Sequence, residues 1–279
     1  MPVTGGTPTI LTSFKIAGAY PEAGLALSGN TLYGTTTGSG AHGDGEVFSL
    51  PINGGTPTIL TSFNYADGDG PSSGNLTLSG NTLYGTTGAG GTGDGTGTVF
   101  SLPIIGGTPT VLASIGYNID GQDPEGGLIL SGSTLYGTTF VGGAYSNGEV
   151  FSVPVTGGTP TILASFNGAD GAEPNGVIIS GSTLYGTTRF GGANAAGVIF
   201  SLPITGGTPN VVASFNYDWG YPSAGLLLSG STLYGTTSNG GAYGDGTVFS
   251  LPIPEPASLA LLVLGGMPLL LRRNHRKKI

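Results

Sequence analysis

The sequence predicts an all-β fold made of five copies of one unit, and three observations support this. The residues Thr-Leu-Tyr-Gly-Thr-Thr occur five times, 49 to 52 residues apart, at 31–36, 82–87, 134–139, 183–188 and 232–237. A period near 50 residues indicates an array of one supersecondary unit. Thr, Leu and Tyr favour strands, and we expect the Gly-Thr-Thr that follows to lead out of the strand into a loop. Before residue 257 the apolar residues show no helical period.

Each unit contains four apolar runs, which we label a to d. In the first unit they are residues 24–28 (a), 31–36 (b), 46–51 (c) and 58–63 (d). A two-residue Gly-Asn or Gly-Ser link joins a to b, which predicts a hairpin because Gly adopts positive φ without steric cost. Another short link joins c to d. Four short antiparallel strands per unit predict the blades of a β-propeller, with an open solenoid or a string of hairpins as the alternative.

The two chain ends together supply the strands of one more blade. A lone d run lies at residues 9–14, and the last unit supplies only a, b and c, ending at Pro252. We therefore predict that residues 9–14 pair with the strand near residues 248–251. This pairing would close a ring of five four-stranded blades and leave no exposed strand edge. Residues 1–253 would form the propeller and residues 254–279 a separate tail; the alternative is an array that continues upstream of Met1.

Composition and charge exclude several classes of function. The chain has 279 residues, with 56 Gly, 19 Pro and no Cys, so disulfides and thiolate chemistry are excluded. The Gly residues recur at fixed places, which is typical of turns rather than of a disordered chain. Up to Ile253, 14 acidic residues stand against only two basic ones, Lys15 and Arg189. Nucleic acid needs a basic surface, so we exclude it as a partner.

The tail combines an apolar run with a basic end. Residues 257–271 are apolar or small, and five basic residues follow: Arg272, Arg273, Arg276, Lys277 and Lys278. This pattern predicts a C-terminal hydrophobic helix whose basic flank stays on the cytoplasmic side of a membrane. The run is shorter than the about 20 residues of a spanning helix, and Pro268 interrupts it, which suits a transient anchor. The first residues have neither a basic start nor an apolar run, so we expect no N-terminal signal peptide in this chain.

Strand order places the long b–c and d–a links on one face, where we expect any binding site. Exposed aromatic rings beside polar groups suit sugar rings. Seven aromatic residues of these links are the candidate binding residues: Tyr65, Tyr117, Tyr145, Tyr217, Trp219, Tyr221 and Tyr243. The alternative is that these rings fill gaps between blades. The Tyr of each b run is assigned to packing.

Acidic residues of the same links suggest two other chemistries. Carboxylates in Gly-rich turns could bind calcium, although Asp-Gly is also common turn chemistry. Glycoside hydrolysis needs two carboxyl groups in different environments. The acidic residues that depart from the repeat pattern are Asp69, Asp123, Glu125 and Glu173. No nucleophile–base set is evident, and His42 is expected to be a loop residue. We therefore expect no catalytic residues, no metal site and no cofactor, with calcium as the open alternative.

The repeat motifs resemble a known family. Leu-Tyr-Gly-Thr-Thr, Gly-Gly-Ala-x-x-Asp-Gly-x-Val-Phe and Ser-Phe-x-x-x-Asp-Gly-x-x-Pro are together similar to the GloVer tandem repeat over residues 7–253. The resemblance implies an exported bacterial protein with propeller-like repeats and no assigned chemistry. Two copies depart from the pattern: the first lacks the Asp-Gly before Pro21, and the fourth has Asn194 and two Ala in place of the acidic turn. A site that required this Asp in every blade would be incomplete.

The tail resembles a PEP-CTERM sorting signal. Pro254, Glu255 and Pro256 precede the apolar run, and Arg272 and Arg273 follow it. In that family the Pro-Glu-Pro lies near the processing site of an exosortase, the apolar run spans the membrane and the basic end stays inside. The resemblance implies an exosortase-type partner, a transient membrane anchor and cleavage near residues 254–257.

Repeats and tail together predict an exported bacterial surface or extracellular-matrix protein. We expect a non-enzymatic role with extracellular polysaccharide as the ligand. The alternative is a glycan-active propeller enzyme of the glycoside hydrolase type.

Overall fold

The computed structural model describes residues 7–15, 19–71, 74–93, 95–116, 123–124 and 126–254, and these residues form strands and no helix. In chain order the strands are β1 (Ala26–Ser28), β2 (Thr31–Thr36), β3 (Glu46–Pro51), β4 (Thr58–Ser62), β5 (Asp69–Pro71), β6 (Thr77–Ser79), β7 (Thr82–Ala89), β8 (Thr98–Pro103), β9 (Thr110–Ser114), β10 (Ile129–Ser131), β11 (Thr134–Thr139), β12 (Glu149–Pro154), β13 (Thr161–Ser165), β14 (Ala172–Ser180), β15 (Thr183–Phe190), β16 (Val198–Pro203), β17 (Asn210–Ser214), β18 (Leu227–Ser229), β19 (Thr232–Thr237) and β20 (Thr247–Pro252).

Five antiparallel sheets, which we call blades 1 to 5, follow one another along the described chain. Blades 1, 3 and 4 have four strands in the order a–b–c–d, namely β1 to β4, β10 to β13 and β14 to β17. In blade 2 the a strand is divided into β5 and β6, which both pair with β7. Blade 5 contains β18, β19 and β20. This succession of blades is the predicted architecture of a β-propeller.

The short and long links lie on opposite faces, as predicted. Each a–b link begins with a Gly whose φ lies between 55° and 60°: Gly29, Gly80, Gly132, Gly181 and Gly230. A Gly in this first position is typical of type II′ hairpin turns. The c–d link lies beside this turn, because the N–H of Ile52 donates to the carbonyl of Asn30 at 2.9 Å. On the other face, the N–H of Phe63 donates to the carbonyl of Gly45 in the b–c loop at 2.9 Å.

The Gly-Thr-Thr of each b run continues the strand, so the prediction that it leads into a loop is wrong. β2 extends to Thr36, and Gly34 lies opposite Phe48 of β3. A Cβ on Gly34 would lie 2.6 Å from Cζ of Phe48, so the Gly leaves room for the ring. The same contact recurs in the other four blades. This Gly therefore serves packing inside the sheet.

The core lies between neighbouring blades. At most junctions, the Phe that follows a d strand meets the Phe of the next blade's c strand edge-on. The distances between ring centroids are 5.0 Å for Phe63–Phe100, 4.9 Å for Phe166–Phe200 and 5.0 Å for Phe215–Phe249. Between blades 2 and 3, Ile115 takes this place in a buried cluster with Phe151. Each such ring pair contributes about 0.5–1.5 kcal/mol beyond the area that it buries.

The inner strands of successive blades approach one another through glycines. A Cβ on Gly74 would lie 2.7 Å from the backbone nitrogen of Gly127, so blades 2 and 3 meet here with no room for a side chain. Next to it, Oδ1 of Asn75 accepts a hydrogen bond of 2.7 Å from the N–H of Gly24 in blade 1. The blades are thus joined near the propeller axis by backbone contacts and amide hydrogen bonds.

The closing pair predicted between residues 9–14 and 248–251 is absent from the described part of the chain. Residues 7–15 form no strand, and β20 pairs with β19 alone. In blades 1 to 4 a short link holds each d run beside its c strand. The two ends are instead more than 230 residues apart, and no short link holds residues 9–14 beside β20. Four complete blades and one three-stranded blade replace the predicted ring of five complete blades.

The N-terminal run nevertheless keeps the contacts that a d strand makes with the next blade. The carbonyl of Leu11 accepts a 3.0 Å hydrogen bond from the N–H of Gly55, and the ring of Phe14 meets Phe48 at 5.1 Å. Residues 9–14 therefore pack against blade 1 as the d strand of a preceding blade would, although they pair with no c strand in the described part of the chain.

The predicted tail lies beyond Pro254, the last described residue. The C-terminal hydrophobic helix and the sorting residues Glu255, Pro256, Arg272 and Arg273 are outside the described residues. Within the described ranges, no helix has the length and apolarity needed to cross a membrane.

Gly74→Ala should destabilise the propeller, because its Cβ would overlap the backbone of blade 3. We expect the free energy of unfolding to fall by about 1–3 kcal/mol, as overpacking does elsewhere. Gly225→Ala is the matched control, since a Cβ there meets nothing within 4 Å. Thermal unfolding followed by circular dichroism measures both variants. Equal midpoints for the two would contradict the close approach of the inner strands.

Candidate functional site

Short polar motifs fix the d–a loops of the long-loop face. The backbone N–H and Nδ2 of Asn64 both donate to the carboxylate of Asp67 at 2.8 Å. Asn167 and Asp170 repeat this arrangement at 2.8 and 2.9 Å. Both Asp side chains are buried. They hold the loops in shape, and their carboxylates are turned away from solvent.

Two further carboxylates are buried at the start of c strands. The hydroxyl of Ser39 donates to Glu46 Oε2 at 2.8 Å, and the hydroxyl of Ser165 donates to Glu149 Oε1 at 2.6 Å. Both Glu side chains are at most 5% exposed. Like the loop Asp residues, they serve the fold, so these four carboxylates are not available to a ligand.

In blades 2 to 5 a proline that follows the d–a loop packs onto the b–c loop of the preceding blade. A Cβ on Gly45 would lie 2.4 Å from Cδ of Pro71, and Gly197 stands in the same relation to Pro222 at 2.9 Å. The residue before this proline, which we call the pre-proline position, differs between blades: Tyr20, Gly70, Asp123, Glu173 and Tyr221. In blades 2 to 4 its φ is between 50° and 56°. Such backbone strain in Asp123 and Glu173 is typical of functional sites.

Three carboxyl groups at or beside pre-proline positions have raised pKa values. Burial raises the pKa of Asp69, the nearby Asp44 raises it further, and the N–H of Gly70 opposes the shift. Partial burial raises the pKa of Asp123. Burial also raises the pKa of Glu173, against the attraction of Arg189. Among the described residues, no three His, Cys, Asp or Glu side chains come together as a metal site.

Aromatic rings from blades 4 and 5 meet on the long-loop face. Phe190, at the end of β15, lies edge-on to Tyr221 with 5.4 Å between centroids. Tyr221 in turn lies 6.1 Å from Tyr217. The guanidinium carbon of Arg189 is 5.3 Å from the centre of the Phe190 ring. We call Arg189, Phe190, Tyr217 and Tyr221 the aromatic patch, and Glu173 lies beside it.

The backbone of blade 5 positions Tyr221. Its N–H donates to Oδ1 of Asn239 at 3.0 Å, and its carbonyl accepts from the N–H of Ser238 at 2.9 Å. Tyr221 is half-buried, whereas Tyr217 is 65% exposed. The patch thus offers one fixed ring and one open ring to a ligand.

The structure brings together some of the predicted aromatic residues and separates others. Tyr217 and Tyr221 are in contact, and Trp219, in the same loop, is 57% exposed. Tyr65 lies in the equivalent loop of blade 2, and Tyr145 and Tyr243 lie in b–c loops of blades 3 and 5. All three are exposed. Tyr117 is outside the described residues, as is Glu125.

Two members of the patch, Arg189 and Phe190, were absent from the predicted site. The sequence did carry a signal for Arg189, because it is the only Arg before the basic tail. The proximity of Phe190 to Tyr221 was not readable, since it depends on how two blades pack.

A cavity of about 660 Å³ lies along the inner strands of blades 2 to 5. Its walls include Asn75, Gly127, Asn175 and Ala224. The amide nitrogen of Asn175 donates to Thr187 Oγ1 at 3.0 Å and to the carbonyl of Pro222 at 3.2 Å. These amides connect neighbouring blades at the wall of the cavity.

Consecutive four-stranded blades with variable residues on one loop face define a repeat β-propeller protein. The chain belongs to the Gloeobacter/Verrucomicrobia repeat family, whose model matches residues 1–182 and 142–262. This confirms the GloVer resemblance. No curated protein sequence matches the chain.

Solved structures with a similar fold have low sequence identity to the chain. A chain of a nidogen/laminin complex gives a TM-score of 0.52 at 19% identity, over 80% of this chain and 72% of that one. A protein assigned as TolB from Agrobacterium tumefaciens gives 0.53 at 16% identity, over 83% and 76%. A protein assigned as 6-phosphogluconolactonase from Bacteroides uniformis ATCC 8492 gives 0.50 at 15% identity, over 82% and 70%. These likenesses concern the fold alone.

Arg189→Met should raise the pKa of Glu173 further above its ordinary value, because the neighbouring positive charge favours the carboxylate. Titration of the Glu173 side-chain carbon signal by NMR measures this shift. Lys15→Met is the control and should leave the Glu173 pKa unchanged. An unchanged or lower pKa in the Arg189 variant would show that Arg189 does not act on Glu173.

Proposed function

We propose that this protein is a non-enzymatic, carbohydrate-binding β-propeller that works at the bacterial cell surface or in the extracellular matrix. The observation that carries the proposal is the aromatic patch. Phe190, Tyr217 and Tyr221 combine a half-buried ring with an exposed one. The apolar C–H faces of a sugar can contact such rings, while its hydroxyls need polar partners at the edge of the contact.

Polar groups beside the rings match those needs. The guanidinium of Arg189 is a donor with fixed geometry, and the carboxyl of Glu173 is an acceptor when ionised. Arg189 lies over the ring of Phe190, and Glu173 follows Ala172, which lies opposite Phe190 in the β14–β15 pair. An open patch of this kind suits the weak binding of one or two sugar units. Useful affinity for a polysaccharide would then come from many copies of the protein on one surface.

Sorting through the C-terminal tail is part of the proposal and rests on the sequence. Pro254, Glu255 and Pro256 precede an apolar run and a basic end. A basic cluster is expensive to carry across a bilayer, so it would stop transfer and stay inside. An exosortase-type enzyme is the partner that this signal implies.

A glycan-active enzyme is the second candidate. Raised pKa values at Asp69, Asp123 and Glu173 favour it, because perturbed carboxyl groups gather at active sites. Burial raises all three, however, whereas glycoside hydrolysis needs one carboxyl that stays ionised beside one that stays protonated. We therefore rank binding above turnover.

Tyr221→Ala should weaken polysaccharide binding about tenfold, since a stacked ring contributes on the order of 1–1.5 kcal/mol. Tyr217→Ala should weaken it less, because that ring is more exposed. Affinity electrophoresis against neutral and acidic polysaccharides, followed by calorimetry with the best one, measures the change. Tyr243→Ala removes a ring that is 93% exposed and outside the patch, so it should have no effect. The proposal fails if no glycan binds, or if Tyr221→Ala leaves the affinity for the polysaccharide unchanged. Release of reducing ends that Glu173→Gln abolishes would favour the enzyme instead.

Protein recovered from the surface of the native cell should end near residues 254–257. The tail would be removed there by the exosortase-type partner, and intact-mass analysis measures the end point. Replacing Arg272, Arg273, Arg276, Lys277 and Lys278 by Ser should abolish processing, because transfer would no longer stop. Surface protein that still ends at Ile279 would overturn the sorting part of the proposal and leave the binding part untouched.

A further inference from the structure

The outer edge of blade 5 is an unpaired strand in the described part of the chain. β20 pairs with β19, and no described strand lies on its other side. Val248 of β20 is 81% exposed. The equivalent residues of the complete blades, Val47, Val99, Val150 and Ile199, are at most 2% exposed. An edge with free backbone groups and exposed apolar side chains is a template for another strand.

The same chain contains the sequence that fits this edge. Residues 9–14 read Thr-Ile-Leu-Thr-Ser-Phe and are identical to residues 58–63, most of which form β4. Residues 248–252 read Val-Phe-Ser-Leu-Pro and are identical to residues 47–51 of β3. Because β3 and β4 pair, blade 1 already contains the sequence pair that the two ends of the chain present separately.

The N-terminal run leaves its own outer side free. It is held on blade 1 through Leu11 and Phe14, as a preceding d strand would be. Ile10, however, is 80% exposed, compared with 43% for the equivalent Ile59. The arc of blades thus presents an unpaired c strand at one end and an unpaired d run at the other. The two do not meet within one copy.

We propose that β20 of one copy binds residues 9–14 of a second copy as the fourth strand of blade 5. In the β3–β4 pair, Thr58 lies opposite Ser49 and Ile59 opposite Phe48. By equivalence, Thr9 lies opposite Ser250 and Ile10 opposite Phe249 across the two copies. The added strand covers Val248 and satisfies the free backbone groups of β20.

Charge at the junction favours this pairing. In blade 1 the N–H of Phe63 donates to Gly45, beside Asp44. If blade 5 has the same geometry, the N–H of Phe14 of one copy donates to the carbonyl of Gly246 of the other, and Lys15 then lies next to Asp245. Lys15 is one of only two basic residues before the tail. It therefore offers a local attraction between two otherwise acidic copies.

The contact is head-to-tail, because the surface of each copy that binds differs from the surface that is bound. Two copies that exchange N-terminal runs make a closed dimer, and copies that pass the run onward make an open chain. In either case one copy completes the sheet of another. The inference does not depend on carbohydrate binding.

Mixing two single-cysteine variants tests the proposal, since the chain has no Cys of its own. Thr9→Cys and Ser250→Cys are purified separately, mixed and oxidised in high salt, which screens the repulsion between acidic copies. Directly opposed residues in antiparallel strands are close enough for a disulfide. We expect a crosslinked species of twice the mass of one chain. Thr58→Cys with Ser49→Cys is the positive control and should form a disulfide inside one chain.

Two outcomes would overturn the proposal. A mixture of Thr9→Cys with Ser229→Cys is the negative control. Ser229 is exposed but lies outside β20, so this mixture measures crosslinking by random collision. A Thr9–Ser250 crosslink no faster than this control excludes the strand exchange. A double variant Thr9→Cys with Ser250→Cys that crosslinks only within single chains shows instead that the ring closes on itself. Circular dichroism of each variant verifies that the fold is kept.

Discussion

The approach of the inner strands is the constraint on which the rest of the structure depends. Several sheets can converge on one axis only if their inner strands carry almost nothing at the closest points. Gly74 meets the backbone of blade 3 there, and the amide oxygen of Asn75 beside it links blades 1 and 2. Farther out, the space between the blades widens, and paired Phe rings fill it. Each sheet therefore carries small residues near the propeller axis and large residues farther from it.

Much of the fold was readable because each local signal is repeated. The Gly-led hairpins, the strand content and the two faces follow from sequence alone, since they involve residues close together in the chain. The role of Gly34 was not readable, because the clash that it avoids is with Phe48 on the next strand. The closing pair was a reasonable inference from matched sequences. It failed because a sequence match does not show that two runs meet when no short link joins them.

The candidate site was readable only in part, for a related reason. Aromatic residues in long loops can be counted from the sequence, but whether two of them touch depends on the junction between blades. Tyr217 and Tyr221 share a loop and could be expected to be close. The contact of Tyr221 with Phe190 crosses from blade 5 to blade 4 and became visible only in the fold. Asp67 and Asp170 illustrate the opposite error. Carboxylates in these loops suggested a ligand site, but both are buried and accept hydrogen bonds that fix the loop.

The pre-proline position explains how a repetitive protein can carry one localised site. In blades 2 to 5 the proline packs onto the b–c loop of the preceding blade, and this contact is kept although the residue before the proline varies. Tyr, Gly, Asp and Glu occupy it in different blades. The blades share a framework and differ in surface chemistry. Among the junctions that the structure describes, the one between blades 4 and 5 combines three rings with a guanidinium.

The Phe contacts between blades have a consequence for how such a gene can change. Each described junction places an apolar side chain, Phe63, Ile115, Phe166 or Phe215, against the c-strand Phe of the next blade, so one blade can follow another with little repacking. A duplication or deletion of one 49- to 52-residue segment would therefore preserve every remaining junction. Unequal recombination between the similar segments would then change the number of blades in a single step, with the loop residues of the added copy free to diverge.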